Sequence, residues 1–374
     1  MSARRSPRIA AAAAWLAQEG AQALLALDPA FNSFIESHAV FALSGIRPEH
    51  ASAVVVLRSG ASALLTSHDE HGNDDLQAET DAVVRSEDLA AGIADYLKAN
   101  GIGVEDVRVD GIDRIARGMK LRIEAALGGP LPTADGTVAR LARIKSDDET
   151  RRIGQAAAIA EGAYAHLLEV ARPGMREYEL AAAVRGHAAE RGAGDNFLLL
   201  SASRHNQAVR PPADRVLAEG DIILAEISPS VGAAFAQICR TVCIGEPPAQ
   251  LLARYALLQE AMRAGLAAAG PGNAVSDVVA AMDGVFEREG LASYCRPPFM
   301  RVRGHGLGLA SCEPGDLTRD NGTVLEEGMC FVMHPNQYLP DVGYLLFGDT
   351  VRIGEAGAEV LARGETPLGV AGLG

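Results

Sequence analysis

Residues 217–241 read LAEGDIILAEISPSVGAAFAQICRT, and the rest of the chain is arranged around this stretch. A Glu-Gly-Asp turn at Glu219, Gly220 and Asp221 leads into the apolar run Ile222, Ile223, Leu224 and Ala225. Apolar runs of this length between turn signals are strands, and two of them separated by a Gly-containing turn make a hairpin. Pro229 and Gly232 mark the turn, and the second run carries Gln237, Cys239 and Arg240. Glu226 falls where the first strand should stay buried. A buried carboxylate is costly unless paired, hydrogen-bonded or metal-bound. Glu226 is therefore either a site residue or half of a structural ion pair.

Upstream, a long helix is expected over 147–171. Ser146 is its N-cap, with Asp147, Asp148 and Glu149 in the first turn where the helix dipole favours them, and Pro173-Gly174 stops it. The second half of the chain repeats itself. Residues 173–192 read PGMREYELAAAVRGHAAERG and residues 271–290 read PGNAVSDVVAAMDGVFEREG. Leu217-Ala218-Glu219-Gly220 is echoed by Leu325-Glu326-Glu327-Gly328. Each half then reads as helix, Pro-Gly turn, helix and hairpin, and two halves about a pseudo-two-fold axis would form one sheet backed by helices. In that register Glu226 matches His334, so the two polar interruptions of buried strands are expected to face each other across the axis.

Residues 8–125 alternate helical and strand-like segments, which predicts an α/β domain with a mixed sheet. Helices are expected over 9–19, 88–99 and 115–127, and strands over 23–26, 53–57, 61–66 and 107–110. The acidic loop 69–75 (DEHGNDD) reads as a solvated loop rather than a metal site. Residues 128–136 (GGPLPTADG) mark a linker. The expected division is a first domain over 1–130, a linker over 131–146 and a second domain over 147–374.

Composition bounds the partners. The 374 residues carry a formal net charge of −14, which argues against nucleic acid or an anionic membrane. Five cysteines without framework spacing fit a reducing compartment and a cytoplasmic location. The first residues, MSARRSPRIAAAAAWLAQEG, read as a helix rather than a secretory signal, and no stretch is long enough to span a membrane.

Several motifs fall in one order: Arg143-Ile144-Lys145-Ser146 with Glu149, Pro173-Gly174-Met175 with Glu177, Gly220-Asp221, Arg240-Thr241, Gly304-His305-Gly306-Leu307-Gly308, Glu327-Gly328-Met329 and the hairpin 343–349. Over residues 139–362 that order resembles the pita-bread superfamily of methionine aminopeptidases, prolidases, aminopeptidases P and creatinases. The first 130 residues resemble, more weakly, the creatinase/prolidase N-terminal domain. The resemblance implies an α/β creatinase-like N-terminal domain, an α+β pita-bread C-terminal domain with internal duplication, and a homodimer. In the peptidases it also implies two metal ions held by two Asp, one His and two Glu. This chain departs from that set. Glu226 and Gln237 stand at the Asp positions, His334 and Gly348 at the Glu positions, and only His305 is retained. A further family histidine is Cys312 here, followed by Glu313 and Pro314.

Two hard cations in one site need bridging carboxylates to offset their repulsion, so a dinuclear centre is not expected and no cofactor is assigned. A mononuclear zinc on Cys239, Cys312, His305 and His334 is chemically sensible, yet no ligand spacing supports it. The leading expectation is a metal-independent hydrolase or lyase of the creatinase kind, cleaving a C–N bond in a small polar amino-acid-like substrate. His305 or His205 would be the base, and Glu226 and His334 would position water and stabilise charge. Gln237, Cys239, Cys312, Glu313, Arg210 and Arg303 are the candidate substrate contacts, with Phe299 and Met300 lining the approach to His305. Cys312 beside His305 also reads as a nucleophile, against a buried inert thiol. A structural salt bridge for Glu226 and a packed core histidine for His334 remain the bland readings. The alternatives are a metal-dependent Xaa-Pro peptidase with an altered site, and a non-catalytic pita-bread module that binds peptides or protein.

Overall fold

A computed structural model of the chain describes residues 7–27, 52–66, 80–134, 136–308, 314–362 and 366–373. It divides into two compact units, Met1–Ala142 and Arg143–Gly374. The acidic loop 69–75 lies outside the described residues.

The first unit holds helix α1 (Pro7–Glu19), strands β1 (Ala23–Ala26), β2 (Ser52–Leu57), β3 (Ser62–Thr66) and β4 (Ala82–Arg85), helix α2 (Leu89–Ala99), strand β5 (Val107–Asp110) and helices α3 (Arg117–Leu127) and α4 (Thr137–Leu141). The sheet order is β4-β3-β2-β1-β5. β1 runs antiparallel to β2 but parallel to β5, so the sheet is mixed. Asp88 caps α2 by accepting from the Ala90 and Ala91 amides. The proposed linker 131–146 is not bare chain. Thr133 bridges to Val109, and α4 begins where the Val138 amide donates to buried Asp110 at 2.6 Å. This backbone is held by the first sheet, so the division falls after Ala142.

The second unit opens with α5 (Asp147–Val170) and α6 (Glu177–Glu190). Ser146 and Glu149 form a reciprocal capping box at the start of α5, an arrangement whose Ser contributes about 1 kcal/mol. Strands β6 (Asn196–Ser203), β7 (Ile222–Val231), β8 (Ala234–Phe235) and β9 (Ile238–Ile244) follow, then α7 (Ala249–Ala268) and α8 (Val275–Arg288). The chain continues with β10 (Gly304–Gly306), β11 (Cys330–Met333), β12 (Gln337–Leu339), β13 (Gly343–Leu345), β14 (Asp349–Gly354), β15 (Gly357–Val360) and β16 (Gly369–Ala371). One sheet runs β16-β9-β7-β6 and another β10-β11-β14-β15.

The duplication is visible in the backbone. Gly174 and Gly272 both sit at φ 91°, a left-handed conformation that glycine adopts without strain. Their amides donate to Leu217 O and Leu325 O at 2.9 Å each, the same bond in both halves. Each half buries its own helix pair. Leu167, Leu180 and Val184 share a core with Leu200, Ile223 and Ile238, while Leu258, Met282 and Phe286 share one with Leu224, Phe331 and Val351.

The halves meet differently from the single continuous sheet expected of them. Their ladders are separate and are joined where Cys239 and Gly348 exchange amide bonds of 2.9 and 3.0 Å. On either side a threonine replaces ladder bonds. Thr241 Oγ1 donates to Leu346 O and accepts from its amide, and Thr350 Oγ1 does the same for Gln237. The pseudo-two-fold axis therefore passes between Cys239 and Gly348. A side chain at Gly348 cannot be accommodated: a Cβ would lie 2.5 Å from His334 Cβ and 2.6 Å from Met333 O.

Candidate active site

The site grows from this joint. Glu226 stands opposite Cys239 in the β7–β9 register. Burial pushes its carboxyl up to about 7. Among the described residues no hydrogen bond or ion pair reaches that carboxylate, so none of them supplies the salt bridge of the bland reading. Burial, and then the charge of Glu226, also holds the Cys239 thiol well above its ordinary value, so this cysteine is inert rather than nucleophilic. Gln237 donates from Nε2 to Cys239 Sγ at 3.5 Å. Its amide therefore lies beside the floor of the site rather than reaching away from it.

His305 is carried by β10, opposite Val332 of β11. Its Nδ1 lies 3.1 Å from Gly306 O. A carbonyl only accepts, so Nδ1 is the donor in that contact. His334 follows β11, and its amide donates to Arg303 O at 2.9 Å. The two imidazoles stand 6.1 Å apart at 68°. Burial, then the neighbouring His305, lowers His334 to about 3. At neutral pH it is uncharged, and its Nδ1 is buried without a hydrogen-bond partner among the described residues.

Three expectations are corrected by this geometry. Glu226 and His334 do not act on each other as the expected facing pair: the charges felt by His334 are those of His305 and Arg303, and burial rather than a carboxylate sets its titration. An uncharged His334 also does not stabilise negative charge as a cation. His205 does not serve as the base. Its Nε2 is tied to Pro340 O at 3.1 Å, and its Nδ1 takes the Gln207 amide at 3.1 Å, which leaves neither nitrogen for a substrate proton. Arg303 is not a substrate contact. It is 0% exposed, and its guanidinium is bound by Asp283 Oδ1, Asn336 O and Gln337 Oε1 at 2.7 to 2.8 Å while lying over Phe286.

Arg210 is exposed, with its backbone held beside Leu200, and its side chain makes no ion pair with a described residue. Cys312 and Glu313 lie outside the described residues. Phe299 and Met300 do precede the β10 segment, Phe299 at the surface and Met300 buried.

Two tyrosines went unread in the sequence. Tyr344 lies near enough to Glu226 that the carboxylate adds to burial in pushing its phenol upward. Tyr338 stands opposite Tyr344 across β12 and β13. The signal was available: two tyrosines placed symmetrically about the turn Pro340-Asp341-Val342 must share a face of a hairpin.

Comparison with known proteins places this geometry in a class. The model of metallopeptidase family M24 matches residues 151–355, and the chain belongs to that family. The pita-bread fold follows with it. A probable dipeptidase PepE of Mycobacterium tuberculosis is 31% identical over 234 residues, 62% of this chain and 61% of that protein. The chain thus matches less than two thirds of that relative's length. A Xaa-Pro dipeptidase of Pyrococcus furiosus is 29% identical over 240 residues, 63% of this chain and 67% of that protein. Among solved structures, a Xaa-Pro dipeptidase from Bacillus anthracis superposes with a TM-score of 0.81 at 21% identity, covering 97% of this chain and 99% of that one.

These findings overturn the creatinase-like, metal-independent reading and support the Xaa-Pro peptidase alternative. The assignment of no cofactor is corrected too, since the family is one of metallopeptidases and implies divalent metal. The described donors do not fit such ions. Glu226 is a single carboxylate, Gln237 is an amide engaged with Cys239, and Gly348 has neither a side chain nor room for one. Among the described residues no three His, Cys, Asp or Glu side chains are grouped to hold a metal. Among them, too, no helix is long and apolar enough to cross a membrane.

Proposed function

We propose that this chain hydrolyses the C–N bond of short peptides as a dipeptidase, with Xaa-Pro peptides among its substrates. The family and the names of its relatives support the reaction class. The observation that carries it in the geometry is the buried Glu226 carboxyl, which no described residue bonds and whose titration at about 7 suits proton transfer at neutral pH. Ionised Glu226 accepts a proton from the water attacking the peptide carbonyl carbon. As the C–O bond forms and the C–N bond breaks, that proton leaves on the amine. His305 orients the water or the leaving amine. The same reading makes the protein a cytoplasmic homodimer acting on small peptides, in keeping with four buried cysteines among the described residues.

The test is to incubate the purified protein, alone and with added manganese, cobalt or zinc, with Gly-Pro, Ala-Pro, Ala-Ala, Ala-Phe and Phe-Ala, and to quantify the amino acids released. Cleavage is expected, and Glu226→Gln should slow it about a hundredfold or more. Absence of cleavage under every condition would overturn the proposal.

A further inference from the structure

The mechanism leaves one group of side chains unused. Tyr338, Phe299 and Tyr294 form a continuous aromatic wall. Phe299 stacks on Tyr338 with centroids 5.2 Å apart at 27°, and Tyr294 meets Phe299 edge-on at 4.8 Å. Tyr294 and Tyr338 are 5.8 Å apart, and His205 closes the far side, edge-on to Tyr338 at 5.9 Å.

The wall is fixed from behind. Gln337 is fully buried, and its Nε2 donates to Tyr294 O at 2.9 Å and to Tyr338 O at 3.0 Å. Its Oε1 accepts from Arg303, which Asp283 anchors. The His205 imidazole is clamped through both nitrogens, as described above. Two χ angles per ring and a buried backing leave little freedom to lose when something binds.

The wall also faces the chemistry. Tyr338 lies opposite Tyr344 in the hairpin, so their side chains leave the same face. β13 ends three residues before Gly348, which bridges to Cys239, and Cys239 stands opposite Glu226. The hairpin that carries the aromatic surface therefore runs on into the joint beside Glu226. Yet Phe299, inside this cluster, keeps 37% of its surface exposed, an apolar ring left uncovered among packed aromatic neighbours. Scattered exposed hydrophobics need no explanation, but an exposed ring within a rigid aromatic group at a polar centre is the composition of a ligand subsite.

We propose that this wall is a specificity subsite that receives an aromatic side chain of the substrate, flanking the bond cleaved at Glu226. The choice of an aromatic over a small side chain follows from the surface offered. Ring faces and edges add offset-stacked and edge-to-face contacts beyond the apolar area they bury, whereas a methyl group covers little of Phe299. The inference rests on the peptidase reading for the identity of the bond. The wall itself is testable without turnover.

Binding of L-phenylalaninamide and L-alaninamide to the whole protein, followed by titration calorimetry and by saturation transfer from protein to ligand protons, is the experiment. Phenylalaninamide should bind about tenfold or more tightly than alaninamide, with transfer concentrated on its ring protons. Phe299→Ala should reduce that preference about tenfold, and Phe299→Leu should restore part of it. Circular dichroism of each variant separates loss of the subsite from loss of fold, and the exposed position of Phe299 makes folding the expected result. Equal binding of the two amides, or a preference unchanged in a folded Phe299→Ala protein, would overturn the subsite whatever the dipeptide assay shows. Aromatic preference in binding with no dipeptide cleaved would uphold the subsite and overturn the peptidase reading instead.

Discussion

At the scale of single residues, burial does more than charge pairing to set the site. Glu226 has no described partner, and its elevated titration comes from desolvation alone. The sign of its effect on stability follows. A carboxyl raised from 4.5 to about 7 in the folded chain contributes fully below pH 4.5, and that contribution is lost as pH rises through 7. Glu226→Gln should therefore make the protein more stable at pH 8, by at most about 3 kcal/mol, and leave it nearly unchanged at pH 4. Denaturant unfolding of both proteins at the two pH values checks this. The same substitution should abolish the rise in peptidase rate through pH 7. A residue kept for structure would not couple a gain in stability to a loss of activity. Glu226 was legible as a candidate because a carboxylate in an apolar run always asks for an explanation. The fate of Arg303 was not legible, because a guanidinium near a histidine reads the same whether it faces solvent or the core.

At the scale of elements, two features hold the site in place. Gly348 lets β9 and the segment before β14 approach to backbone contact beside His334. Gly348→Ala should cost roughly 1–3 kcal/mol, read as a lowered denaturation midpoint, because the atoms that would have to yield include the Met333 carbonyl. The Arg303–Asp283 pair is fully buried, with Arg319 as a second partner of the same carboxylate. Asp283→Ala would leave Arg303 charged and unpaired, at a cost of about 3–5 kcal/mol. Its effect should reach peptide binding as well, since Arg303 holds Gln337 and Gln337 holds the aromatic wall. Both features escaped sequence reading for one reason: their partners lie far away along the chain. The repeated Pro-Gly turns were readable because turn chemistry is local, and the structure reproduces them bond for bond in the two halves.

At the scale of the whole molecule, each unit carries its own core. Leu25, Val55, Leu65 and Val109 belong to that of the first, and the second has those of its two halves. Calorimetric unfolding should depart from a two-state transition, with a calorimetric enthalpy exceeding the van't Hoff value. A ratio of one would show that the units unfold together. By itself the sequence determined the α/β and α+β classes, the internal duplication, the family and the prominence of Glu226 and His305. Apolar periodicity, capping and turn residues act over a few positions, and each is written where it acts. Only the tertiary structure decided that Glu226 and His334 find no side-chain partner among the described residues, that His205 is tied at both nitrogens, that Arg303 is buried and that Tyr338 and Tyr344 share a face. Those outcomes depend on which distant groups compete for the same hydrogen bonds and the same space, and only the folded chain brings them into competition.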